Sequence, residues 1–246
     1  MRALIINGSA RGAKGVTAKM GRALAEGLVR GGASVDTLFV ADMNIAPCTA
    51  CLSCMHLNPG HCAQRDDMDV VLPLLKRADL LVWAAPVYTD TMSAQLKAVM
   101  DRTICSRQPF LYADAAGLTR HPMTWAMPQK VMLISTCSFP EPVTFEPLVA
   151  TIRAQAINLG GRCIAELCVP GSLAIQMEPS VLETHLALIA QAGMEVAQEG
   201  RVRPVTLEAI KRPPFSVDRY RELAGRYEEW CRKKQAKMAE KRLNES

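Results

Sequence analysis

Cys48, Cys51, Cys54 and Cys62 follow the spacing C-x2-C-x2-C-x7-C. Four thiolates within 15 residues can converge on one centre. Three cysteines at double x2 spacing form the kind of run in which one short loop wraps an iron–sulfur cubane. Structural zinc usually takes two C-x2-C pairs set farther apart, and free or disulfide-linked thiols are the remaining alternative. Pro59-Gly60 supplies a turn that brings Cys62 back toward the other three. His56 and His61 fall inside the loop and read as polar loop residues rather than ligands. Cys105, Cys137, Cys163, Cys168 and Cys231 are scattered and read as small buried side chains.

A second constellation lies at the amino end. The apolar run Ala3-Leu4-Ile5-Ile6 leads directly into Gly8-Ser9-Ala10-Arg11-Gly12-Ala13-Lys14-Gly15-Val16-Thr17. Small residues between a strand and a helix let backbone N–H groups turn toward an anion, and the helix terminus adds favourable partial charge. Ser9 and Thr17 offer hydroxyls, and Arg11 offers a fork for phosphate. A P-loop needs Gly-Lys followed by Ser or Thr, whereas Lys14 is followed by Gly15 and Val16. The glycines at 8, 12 and 15 do not fit the dinucleotide fingerprint either.

Both constellations need a scaffold, and strand-like runs alternating with helix-period segments supply one. Strands are predicted at 3–6, 34–40, 80–85, 131–136 and 162–169, and helices at 16–30, from Ser93 to Arg102, across Phe145–Ala156 and at 179–199. Asp66, Asp67 and Asp69 read as helix-start residues. The helix after them contains Pro73, which predicts a kink or a restart. The alternation implies a parallel sheet covered on both faces. The fold class is α/β, a doubly wound five-stranded parallel sheet of order 2-1-3-4-5, flavodoxin-like, with a long insertion and a C-terminal helical extension. Residues 1–200 form the domain, which contains the cysteine loop at 48–62 and an irregular insertion at 103–129. Residues 201–246 form a proline-bearing linker and a basic amphipathic helix, with Tyr220, Leu223, Tyr227 and Trp230 on one stripe that must pack on this domain or on a second subunit.

In such a sheet the order reverses between the first and third strands, and ligands bind at the carboxyl ends of the strands there. The loops after those strands should therefore share one ligand, the first holding its phosphate and the second its ring. Backbone groups at 86–89 can read a polar ring edge, Tyr88 lies near the ring or packs as a core aromatic, and Ser135-Thr136-Cys137-Ser138 closes the other side. The cysteine loop follows the second strand, so it is expected at the same sheet edge, on the order of 10–15 Å from the ring by strand spacing.

Gly-Ser-x-Arg with Thr17 downstream, Pro-Val-Tyr at 86–88, and Ser-Ala-Gln-Leu-Lys-Ala-Val-Met-Asp-Arg at 93–102 resemble the NADPH-dependent FMN reductases, and more narrowly their iron–sulfur flavoprotein branch. The resemblance covers roughly residues 1–170. It implies that Ser9, Arg11, Val16 and Thr17 hold the phosphate of FMN. It also implies that Pro86, Val87, Tyr88 and Thr89 hold the isoalloxazine, with Thr136 in the closing loop. Val16 stands where the family often has Asn, so only a backbone contact carries over there. Cys48, Cys51, Cys54 and Cys62 would bind a [4Fe–4S] cluster as metal ligands. NAD(P)H is a possible electron donor.

Composition sets the outer limits. Of 246 residues, 49% are apolar and 22% charged, an ordinary globular balance. No apolar run approaches the ~18 residues of a membrane span, and the amino end reads as a strand rather than a signal peptide. A soluble, cytoplasmic, homodimeric or homotetrameric protein is expected, exchanging electrons with a small molecule or a protein. The net charge of +5 is uneven: residues 201–246 carry 13 Lys/Arg against 7 Asp/Glu, leaving 16 against 17 in the first 200. A solvated helix face accounts for this tail better than nucleic-acid binding does. The expected function is an FMN-dependent oxidoreductase passing electrons between FMN and the cluster. The alternatives are a cluster-free NAD(P)H-dependent FMN or quinone reductase, or a non-catalytic flavodoxin-like electron carrier.

Overall fold

The computed structural model describes residues 1–244. Five strands form one parallel sheet: β1 Arg2–Asn7, β2 Ser34–Phe39, β3 Leu80–Pro86, β4 Lys130–Thr136 and β5 Arg162–Val169, in the order β2-β1-β3-β4-β5. Every residue of β3 is buried, as a central strand covered on both faces requires. Edge strand β2 has no buried residue.

The helices longer than one turn are α1 Val16–Arg30, α2 Met68–Arg77, α3 Ala94–Arg102, α4 Glu146–Asn158, α5 Pro179–Glu199, α6 Pro204–Lys211 and α7 Val217–Asn244. Alternate strand residues point to opposite faces, so two apolar cores form. One gathers Leu4, Ile6, Leu81 and Trp83 with α2, α3 and α4. The other gathers Ile5, Val82 and Ile134 with α1 and α5. No described helix is long and apolar enough to cross a membrane.

Three local features refine the sequence reading. Helix α2 runs through Pro73 without restarting, because buried Val71, Leu72, Leu74 and Leu75 hold both halves against the sheet. The linker at 200–216 contains α6, whose Ile210 and Thr206 are buried. Thr206 donates to the buried carboxylate of Glu195 at 2.8 Å, and the Arg203 N–H donates to the same group at 2.8 Å, which docks α6 on α5. The stripe on α7 is only half covered. Tyr220 and Leu223 pack with Ala174, while Tyr227 and Trp230 are exposed and stack on each other at 5.6 Å.

The insertion starts with a 3-10 turn, Thr103–Ser106, and carries a small antiparallel hairpin pairing Tyr112–Ala113 with Thr119–Arg120. Its returning leg crosses the cysteine loop. There the Trp125 indole N–H donates to the Gly60 carbonyl at 3.2 Å, and Lys76 lies over the indole ring at 4.8 Å. Gly60 has φ +86, and a Cβ on it would come within 2.9 Å of Thr124, so both the turn and the contact need glycine.

Candidate functional site

The loop after β1 and the loop after β3 are bonded to each other. The Gly8 N–H donates to the Ala84 carbonyl at 2.8 Å, and the Ser93 hydroxyl donates to the Gly8 carbonyl at 2.7 Å. Ser93 also caps α3, its oxygen accepting from the Leu96 N–H at 3.3 Å. A Cβ on Gly8 would stand 2.6 Å from the Cβ of Leu96, so glycine is what lets the first loop close onto α3.

Along the first loop, Asn7 accepts from the Ser9 N–H at 2.9 Å, and the Ser9 hydroxyl accepts from the Arg11 N–H at 3.3 Å. Ser9, Val16 and Thr17 are buried, and Arg11 is exposed. Helix α1 begins with no side-chain cap, and the first N–H groups of a helix have no intrahelical partner. The Thr17 and Thr136 hydroxyls share a hydrogen bond of 2.7 Å, which ties the loop to the end of β4. Asn7 Nδ2 and Ser135 Oγ, on the carboxyl-terminal parts of β1 and β4, are buried without a partner among the described residues. An uncapped helix terminus, two hydroxyls and unsatisfied polar atoms near the carboxyl ends of β1 and β4 fit a phosphate-bearing ligand.

In the second loop Pro86 is buried, and the Val87 N–H donates to the Thr136 carbonyl at 3.0 Å. Tyr88 and Thr91 exchange two backbone bonds around a tight turn, in which Thr89 and Asp90 both have positive φ, +44 and +66. Two consecutive non-glycine residues in this region cost energy and tend to mark a functional site. A cleft of about 660 Å³ opens where the loops meet, lined by Ala10, Tyr88, Thr89, Thr91 and Met92 among others. That volume is ordinary for a small-molecule site. Ser9, Arg11, Val16, Thr17, Pro86, Val87 and Thr136 are not in its lining.

The four cysteines line a separate cavity of about 350 Å³, together with Leu52, Arg102 and Cys105. Among the described residues no three His, Cys, Asp or Glu side chains close onto a single-ion geometry. Their shared cavity has room for a larger group. Ala50 and Leu52 flank Cys51 with φ of +52 and +55, so the loop curls tightly between its first three cysteines. One helical turn, Ser53–His56, then buries Cys54 and Met55. The Ser53 hydroxyl and N–H, with Thr49, hold the exposed Cys51 thiol below its usual range. Burial, then the neighbouring Cys62, pushes Cys54 up. His61 bonds the Pro59 carbonyl within the loop.

The cysteine cavity is separated from the ring loop by the length of α3. It opens at the far end of α3: Ser93 caps the amino terminus against the first loop, and Asp101 and Arg102 at the carboxyl terminus line the cavity. After β2, residues 43–52 form no helix or strand, and the Ala46 carbonyl in this run accepts from Arg102 at 2.8 Å. The nine residues of α3 span about 13 Å at 1.5 Å per residue.

Sequence reasoning missed two residues here. Arg102 is 1% exposed and forms a two-pronged ion pair with Asp66, itself 7% exposed, at 2.7 and 3.1 Å. Asp66 also accepts from the Ala46 and Met68 N–H groups, both at 3.0 Å. Burial opposes its charge, but these bonds, led by Arg102, hold its carboxyl below the usual range. Cys105 is fully buried, and its thiol is pushed up to about 12, first by burial and then by Cys54 and Cys62. A signal for Arg102 was available: it stands three residues after Val99 on the apolar stripe of α3, where a charge needs a buried partner.

A family model described as NADPH-dependent FMN reductase matches residues 1–127. The chain belongs to the NADPH-dependent FMN reductase family. Within this family it is similar to iron–sulfur flavoproteins. It is 37% identical to that of Methanosarcina thermophila over 103 residues, 42% of this chain and 52% of the relative. It is 36% identical to one from Archaeoglobus fulgidus over 104 residues, 42% and 46% of the two chains. The chain thus spans about half the length of the curated relatives it matches. Among solved structures, the NAD(P)H:quinone oxidoreductase from Methanothermobacter marburgensis superposes with a TM-score of 0.61 at 14% identity, covering 80% of this chain and 98% of that one. At that identity the likeness concerns the fold, which is flavodoxin-like. The matched residues of this FMN reductase family member include the first loop, the cysteine loop, the ring loop and all of α3.

Proposed function

We propose that this protein is an FMN-dependent oxidoreductase that passes electrons between FMN and a [4Fe–4S] cluster. The observation that carries the reading is the bonded junction of the loop after β1 with β3 and the loop after it, at the switch point, through Gly8, Ala84 and Ser93. Ser9, Arg11 and the amino end of α1 at Val16 and Thr17 would hold the FMN phosphate. The backbone of Pro86 to Thr89 would hold the isoalloxazine, with Tyr88 beside it and Thr136 behind. Cys48, Cys51, Cys54 and Cys62 would ligate the cluster. Bound flavin supplies two-electron acceptance from a donor such as NAD(P)H with one-electron release, and a bound cluster takes electrons singly. The chain's own part is to hold both groups: Ser93 locks the loop pair, and α3 sets the spacing to the thiols. Support for the cluster comes from the shared cavity of the four cysteines and the similarity to iron–sulfur flavoproteins. We assign it to the cytoplasm as a homodimer or homotetramer, with a small molecule or protein as electron partner.

Anaerobic purification tests the reading. Flavin absorption bands, about four iron and four sulfide per chain, and FMN released on denaturation are expected. Flavin without iron would leave a cluster-free NAD(P)H-dependent FMN or quinone reductase. If NAD(P)H were not oxidised either, a flavodoxin-like carrier would remain. A preparation that stays colourless with added FMN would overturn the whole assignment.

A further inference from the structure

Among the described residues, Arg102 is the one Lys or Arg side chain in the fully buried class. Asp66 engages both terminal nitrogens, and the Ala46 carbonyl takes a further bond from Nη1. Nε is buried and has no acceptor among the described residues. A guanidinium carries five donors in a fixed fork, and an unmade bond at such a depth is costly. The same side chain lines the cysteine cavity. Burial works against its charge, which is nevertheless stabilised, first by the Asp66 hydrogen bonds and then by Cys62. The other ionisable group in that lining besides the thiols, Asp101, is half-exposed and paired with Lys97 at 2.5 Å. A permanent buried cation thus stands beside four thiols, clamped from behind by Asp66, with Nε unpartnered among the described residues.

We infer that Arg102 is the positioning residue of the cysteine centre, seating the group bound there and raising its reduction potential through its fixed positive charge. The inference rests on the cluster reading proposed above. Reduction adds negative charge to a group in a site of low dielectric, and a nearby cation favours the more negative form. Asp66 aims the guanidinium. It also ties the chain on both sides of the cysteines, at Ala46 and Met68, to the end of α3.

The test compares wild type, R102K, R102Q and the surface control K237Q on the exposed tail helix, each purified anaerobically. The readouts are iron and sulfide per chain, the thermal melt of the iron-free form, and the midpoint potential followed by electron paramagnetic resonance. In R102Q the ratio of reduced to oxidised cluster at a fixed potential should fall at least tenfold, which for a one-electron couple is a drop of 59 mV or more. R102K keeps the charge and should stay within threefold of wild type, as should K237Q. An R102Q protein that keeps its iron with an unchanged potential overturns the inference, and so does an R102K protein that shifts as far as R102Q. If R102Q holds no iron but its iron-free form melts like wild type, and R102K regains iron, the seating role stands. If R102Q does not fold, R102K alone decides by its potential. A wild-type chain that takes up no iron removes the cluster reading itself, an outcome distinct from an unchanged R102Q.

Discussion

The amino end of α3 is held by short neutral bonds among backbone and hydroxyl groups, Ser93 to Gly8 and Gly8 to Ala84, whereas its carboxyl end is held by one buried ion pair, Arg102 to Asp66. The first arrangement is spread over many small contributions and needs close backbone approach. The second concentrates its stability in a single charge pair, where removing one partner strands the other. The two ends should therefore fail differently: the cysteine end abruptly and with pH, the flavin end by degrees.

The largest effect is expected at the ion pair. Asp66→Ala leaves Arg102 buried and unpaired, at a cost of about 3–5 kcal/mol. In a chain of this size that lowers the melting temperature by roughly 6–20 °C in calorimetry. The pair also fixes the sign of an acid response. The Asp66 carboxyl is depressed on folding, so its contribution is complete above the unfolded value of about 3.9. It is lost as pH falls through the lower folded value. Denaturant titrations below pH 4 should therefore show wild type losing stability faster than Asp66→Ala. Equal acid slopes would show that the pair does not set this end.

Next comes Gly8→Ala, which puts a methyl group against Leu96 where backbone and helix already touch. About 1–3 kcal/mol of destabilisation is expected from such overpacking, with a matching loss of FMN affinity in fluorescence-quenching titrations. Ser93→Ala removes the bond to Gly8 and the cap on α3 together, about 1–2 kcal/mol by urea denaturation. If Ser93→Ala cost as much as Asp66→Ala, the contrast between the ends would break. The smallest change is Thr17→Val, which deletes one hydroxyl between the first loop and Thr136. It should weaken FMN binding by about 0.5–1.5 kcal/mol while leaving iron content unchanged.

How far the sequence discloses this arrangement depends on the kind of signal. Helix α1, strand β5 and helix α5 occupy the residues that their apolar periods predict, since Pro179 opens α5 and Gly200, with φ +73, closes it. The switch-point rule brings the loops after β1 and β3 together, because sheet order follows from strand–helix alternation. Local composition misled at α6, where prolines suggested a linker although Pro204 stands at the first helical turn. On α7 the period is helical throughout, but a period cannot say where the partner surface ends, and Tyr227 and Trp230 lie past it. The cysteine end was the least legible. Strand order says which edge a loop leaves from but not how far residues 43–52 travel, and only the tertiary fold reveals that Arg102 and Cys105 line the same cavity as the four spaced cysteines.

One rigid element of nine residues, α3, touches both sites. Adding or deleting a single residue within it would rotate one end against the other by about 100°, since a full turn takes 3.6 residues. Ser93 and Arg102 could then not both keep their partners. Length variation in this protein is thus affordable in the insertion and the tail, while the stretch from Ser93 to Arg102 must keep its phase.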